Sequence, residues 1–276
     1  MPEETIRTVR RVFYFPVLGQ LWRYVLAAAA YAAVVVVLGR GLLPTDPTAE
    51  ATRAGEVVVV GILFGWLMSF RTHAAYSRWW DARGLWGQLV NETRNLVLKA
   101  GAYVRDPEEC RKLGAILVRF AETLRDHLRL PKGTPGPHRP MAVAEEVLDL
   151  IRSWHAGGRI DGFVFLALDG HAQQLMNVCG ACEKIRATPL AASYRGLLRK
   201  GITFYLLLLP WFIDDELIWA TVPVCALVAY GVVGLELIAT EIEDPFGTQG
   251  DDLPLDDFVE TIRRSAVGSG QKAEGS

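Results

Sequence analysis

The sequence predicts an all-α integral membrane protein with four transmembrane helices and a helical cytoplasmic region. Three observations carry that prediction. Apolar residues make up 51% of the 276, and they gather in blocks near 24–43, 56–70 and 202–239 instead of spreading evenly. The stretches flanking these blocks alternate between basic and acidic. Between the blocks the pattern is helical, with no strand-like alternation and no repeat. The mean hydropathy of +0.20 is compatible with either a soluble or a membrane protein, so the distribution decides.

The first element, YVLAAAAYAAVVVVLGRGLL (24–43), is long enough to span and is flanked by Trp22 and Arg23 as interfacial anchors. The preceding MPEETIRTVRRVFYFP carries acids and lacks a short apolar core with a cleavage site, so it does not read as a cleavable signal. TDPTAEATRAGE reads as a short polar connector, and GEVVVVGILFGWLMSF (55–70) as the second span. No Pro interrupts Gly55–Val104, so this helix is expected to run roughly 75 Å, well beyond a bilayer. ITFYLLLLPWFI (202–213), an acidic turn at 214–216 and LIWATVPVCALVAYGVVGLELIAT (217–240) read as a hairpin of spans three and four.

Arg7, Arg10, Arg11 and Arg23 precede span one, Arg71, Arg78, Arg83, Arg94 and Lys99 follow span two, and Arg195, Arg199 and Lys200 precede span three. Asp46, Glu50, Glu56, Asp214, Asp215 and Glu216 dominate the opposite connectors, so both termini are expected on the cytoplasmic side of an inner (plasma) membrane. The expected organisation is 1–100 for the first two spans with the continuing helix, 101–200 for the cytoplasmic helices, 201–240 for the last two spans, and 241–276 for a cytoplasmic segment with a flexible tail. In the cytoplasmic part, Asp106 reads as an N-cap with Pro107 in the first turn, PKGTPGPHRP breaks the chain, and two further helices end at Thr188-Pro189.

On a helix, Gly61, Gly65 and Ser69 recur every four residues, the small-residue seam that lets membrane helices approach closely. Ile62, Trp66 and Phe70 form a parallel bulky row about 100° around. A seam beside a stripe suits a ring of identical helices, with the stripe on the axis as an apolar constriction able to gate ions by dewetting. Packing of both rows against the chain's own spans is the plainer alternative.

A net charge of −2 gives no basis for nucleic-acid binding. Cys179 and Cys182 have C-x-x-C spacing, but no second pair completes a zinc site, and NVCGACEKI reads as helix where small residues pack; no metal is expected there. No Ser/His/Asp constellation, HExxH or phosphate-cradling Gly loop stands out, and Glu236 is the only clear ionisable candidate for intramembrane catalysis, so an enzyme is disfavoured. A transporter is disfavoured by the lack of an internal repeat.

Three motifs resemble the bestrophin family in its bacterial branch: RTHAAYSRWWDARGLWGQLVNETRNL, ATPLAASYRGLL and IEDPFGTQGDDLPLD, in the family's order and over nearly the whole chain. The resemblance implies a homopentameric ion channel embedded in membrane lipids, passing chloride by family default, with a monovalent-cation (Na/K) channel of the same architecture as the alternative. It places the pore neck on Ile62, Trp66 and Phe70 and a cytoplasmic aperture at Phe163, with Asp161, Asp169 and Glu183 as candidate vestibule charges. Trp66 stands where relatives carry Phe or Ile, and five indoles at one level would narrow or close the neck. Animal members hold calcium near the PFG segment; here Gln249 replaces one acidic ligand, so calcium and other cofactors are not expected. Asp244, Asp251 and Asp252 then read as capping and turn residues, and Arg78, Trp79 and Trp80 as a helix anchor at the lipid–water boundary.

Overall fold

The computed structural model describes residues 18–39, 47–131, 133–134, 136–213, 218–248 and 250–273, and the side chains of most of these. Expectations resting on Arg7, Arg10, Arg11, Asp46, Asp214, Asp215, Glu216 and Gln249, and on the side chains of Glu50 and Glu56, lie outside what it describes. Among the described residues all regular structure is helical: α1 (Leu18–Val34, continued by a π turn Val35–Gly39), α2 (Pro47–Tyr103), α3 (Pro107–Arg129), α4 (Arg139–Ala156), α5 (Gly162–Ala187), α6 (Ala192–Leu208, then a 3-10 turn Leu209–Trp211), α7 (Ile218–Ile242) and α8 (Leu255–Ala273).

The polar connector expected before the second span is helical from Pro47 onward. Proline at a first helical turn loses only an N–H that has no intrahelical partner, so Pro47 is tolerated at the start of the helix. The result is a single helix of 57 residues, longer than the sequence implied. Among the described residues three helices are long and apolar enough to cross a membrane: Gly19–Leu38, a stretch beginning at Val58 on α2, and Ile218–Ile242. The remaining expected span, 202–213, is not an independent helix. It is the end of α6, whose earlier turns carry Arg195, Arg199 and Lys200.

The chain divides into two compact units. The first holds residues up to Ser77, Leu190–Glu243 and Gln249–Asp251. In it α1 packs along α7, and α6 joins both. Ala32, Leu209 and Cys225 form its small core, and Tyr31 ties α1 to the end of α6 by donating to the Leu207 carbonyl at 3.0 Å while accepting from Trp211 Nε1 at 2.9 Å. A membrane protein needs little more apolar core than this, since lipid removes the incentive to hide apolar side chains.

The second unit holds Arg78–Pro189, Asp244–Thr248 and Asp252–Ser276. Here α2 behaves as an ordinary amphipathic helix: Ala82, Trp86, Leu89, Thr93, Leu96, Val97 and Ala100 are buried at helical spacing. All of these but Thr93 share one core with Leu117 and Phe120 of α3, Val147 and Ile151 of α4, Leu168 and Leu175 of α5, and Val259 and Ile262 of α8. The expected caps form. Asp106 accepts from the Glu108 and Glu109 amides at 3.0 and 3.4 Å, with Pro107 next in line. Cys179 and Cys182 are free and buried on α5, where burial pushes the Cys179 thiol up to about 12 and the Cys182 thiol higher still. Both thiols lie among the packed side chains of the core of this unit.

In this unit the stretch Asp244–Thr248 meets the one that begins at Asp252. Leu253 donates its amide to Pro245 O at 2.9 Å and Phe246 is buried in the core. A Cβ at Gly247 would collide with the Asp252 carboxylate, which explains glycine there.

Candidate pore-lining site

On the apolar length of α2, one face turns inward. Gly61 lies against Tyr205, Phe64 against Gly201, and Met68, Arg71 and Ala75 are buried. The spacing 61, 64, 68, 71, 75 is the 3-4 alternation of a helix face held by its own protomer. Gly61, grouped by sequence with Gly65 and Ser69, therefore belongs to internal packing: a Cβ there would meet the Tyr205 hydroxyl at 2.9 Å. Gly65 and Ser69 are exposed, and a Cβ at Gly65 would meet nothing within 4 Å. A four-residue row drifts around a 3.6-residue helix, so one end of the row can touch the protomer while the other leaves it.

Ile62, Trp66 and Phe70 are displayed on the opposite side, 68%, 60% and 51% exposed. Trp66 and Phe70 pack edge to face with ring centroids 4.9 Å apart, so the row is a continuous aromatic ridge. Three large apolar side chains at i, i+4, i+8 make no use of the chain's own core. Within one protomer this row stays largely open instead of packing on the chain's own spans.

What orients the ridge is a buried ion-pair cluster that sequence reasoning did not assemble. Arg71, fully buried, bonds Glu236 through Nε at 3.2 Å and Glu243 through Nη2 at 2.8 Å, both carboxylates being on or just after α7. Arg199 reaches the other oxygen of Glu236 at 3.2 Å, and Arg195 and the Leu190 amide reach the other oxygen of Glu243 at 3.5 and 2.9 Å. Three guanidinium groups thus meet two carboxylates and fasten α2, α6 and α7 to one another, one residue beyond Phe70. Glu236, the ionisable residue singled out on the apolar helix, is thus held through both its oxygens by arginines. The available signal was two acids seven residues apart on an apolar helix and an Arg ending an apolar run, each costly in a membrane unless paired.

In the second unit, Phe163 is 85% exposed in the first turn of α5. Asp161 is the N-cap of that helix, accepting from the Val164 amide at 2.8 Å, so its charge is committed to the helix end. Asp169 is half-buried on α5. Glu183, near the C-terminal end, is bonded through one oxygen to Nε2 of both His127 (2.7 Å) and His138 (2.8 Å). Arg78 has an architectural role: it donates to the Thr188 and Ile185 carbonyls at 2.5 and 2.6 Å and so caps the C-terminus of α5.

Comparison with known proteins decides the family. The model for the Bacterial/Fungal Bestrophin protein matches residues 2–135 and 131–267. This chain is a bestrophin. It is 34% identical to the voltage-dependent anion channel-forming protein mll4386 of Mesorhizobium japonicum, over 83% of this chain and 78% of that one. It is 31% identical to the voltage-dependent anion channel-forming protein sll1024 of Synechocystis, over 75% of each. Among solved structures, two of a bacterial Bestrophin homolog from Klebsiella pneumoniae share the fold, at 23% identity in both, with TM-scores of 0.80 and 0.82 and coverage of 92% and 91% of this bestrophin and 98% and 99% of theirs. The family and the apolar helices together make it a membrane protein.

Proposed function

We propose that this bestrophin is an anion channel, with chloride as the main permeant ion, assembled as a homopentamer in the inner membrane. The observation that carries the reading is the exposed ridge of Ile62, Trp66 and Phe70 on a helix whose other face is locked by Arg71. In a ring of five protomers the ridges meet on the axis as an apolar neck, and Gly65 and Ser69 give neighbouring α2 helices close approach. Phe163 forms a second constriction. The naming of the relatives as anion channel-forming proteins supports the choice of anion. The channel reading also accounts for the fold without asking catalysis of it.

In this reading the end of α6 and α7 make the third and fourth membrane spans, and the basic residues Arg71, Arg78, Arg83, Arg94 and Lys99 after the second span support cytoplasmic termini. The cation alternative has less behind it. Of its three candidate carboxylates, Asp161 caps a helix and Glu183 is engaged by two histidines. Gating by calcium finds no support in the sequence around Asp251 and Asp252.

Recording from protein reconstituted in planar bilayers tests the neck. Trp66→Ala is expected to raise unitary conductance over the unsubstituted channel. Unchanged currents across Ile62→Ala, Trp66→Ala and Phe70→Ala would remove the neck from this ridge.

A further inference from the structure

The geometry points to a zinc-class divalent-cation site formed by His127, His138 and Glu183. The three ligand atoms, two imidazole Nε2 and one carboxylate oxygen, all lie within 4.8 Å of one another. They arrive from three separate elements: the last turn of α3, the residue capping the start of α4, and the end of α5. The imidazole rings face the same carboxylate oxygen with centroids 4.9 Å apart. All three side chains are half-buried, so an ion reaches them from solvent while the neighbouring chain shapes the site.

The donor set selects the metal. Two imidazoles and one carboxylate suit a borderline ion such as Zn²⁺, with a fourth position left for water. Ca²⁺ takes six or more oxygens and is poorly served by nitrogen. Ligand atoms around tetrahedral zinc stand roughly 3.3 Å apart. The His–Glu distances of 2.7 and 2.8 Å would open slightly and the histidines would close, a shift within side-chain reach.

The surroundings hold the ligands in place. Arg186 donates to the carbonyls of His127 and Leu130, fixing the end of α3. His138 accepts the Met141 amide at Nδ1 at 3.1 Å, so in the metal-free protein its Nε2 carries the hydrogen and donates it to Glu183. Metal binding moves that hydrogen to Nδ1 and gives up the cap bond. The exchange weakens binding by about fivefold, the usual worth of one N-cap. The bound ion would join the ends of three helices across the PKGTPGPH connector. This inference is independent of the pore and of its selectivity.

The experiment is calorimetric titration of ZnCl₂ into the purified, tag-free oligomer, with CaCl₂ as the control, on wild type and on His127→Gln, His138→Asn and Glu183→Gln. Asn keeps an N-cap acceptor at 138, so that variant isolates ligation from folding. The expected result is one Zn²⁺ per protomer, no calcium heat, and weakening in each variant by at least the loss typical of a ligand's supporting partner, about 10–100-fold. Wild-type protein that takes up no zinc, or variants that bind it as wild type does, would overturn the site. So would calcium binding with equal affinity.

Discussion

At the scale of single residues, Arg71 is the side chain on which most depends. Removing it leaves Glu236 and Glu243 buried, with Arg199 and Arg195 as weaker, more exposed partners. Arg71→Ala is therefore expected to cost about 3–5 kcal/mol, the usual penalty for stranding a buried charge. Thermal unfolding in detergent measures it, and a shift no larger than that of an exposed arginine such as Arg264 would contradict the cluster. Gly201 gives a second prediction. A Cβ there would stand 2.5 Å from the Phe64 ring, so Gly201→Ala should destabilise by about 1–3 kcal/mol through overpacking, or rotate Phe64 and with it α2. A substitution without effect on either stability or current would mean the two helices do not meet there. These contacts were not legible in the sequence. Arg71 and Glu236 are 165 positions apart, and a single chain contains no sign of which distant charges pair.

At the scale of elements, α2 shows what sequence can and cannot give. Its apolar half and the alignment of Ile62, Trp66 and Phe70 follow from periodicity, because a helix places every fourth residue nearly in line, whereas its start at Pro47 does not. The seam of Gly61, Gly65 and Ser69 was legible only in part, since the rotation of the helix against α6, which turns Gly61 toward Tyr205, is a tertiary fact. Similarly, Asp161 and Glu183 were visible as charges, but their partners, an amide three residues on and two histidines on other helices, were not. The element-level prediction concerns Gly65. Gly65→Ile adds bulk to a position that meets nothing in its own protomer, so the protomer should fold while its assembly fails. Size-exclusion chromatography with light scattering reads the outcome, and an intact oligomer would show that α2 helices do not approach along this face. At the start of α3, Asp106→Ala should cost about 1 kcal/mol by loss of the cap, measurable as a lowered Tm.

At the scale of the whole molecule, a bestrophin fold, a displayed aromatic ridge and relatives named as anion channels support one reading, a ring of protomers with an ion path on its axis. Chemical cross-linking should stop at a ladder of five species, whereas a ladder ending at one or two would contradict the pentamer. An apolar neck carries no charge filter of its own, so selectivity is the property that separates the anion channel from its cation alternative. The direct measurement is the reversal potential of the purified protein in a planar bilayer under a KCl gradient, with Trp66→Ala alongside should the native neck be closed at rest. A reversal near the chloride equilibrium potential is the predicted result; a reversal near that of potassium would contradict it.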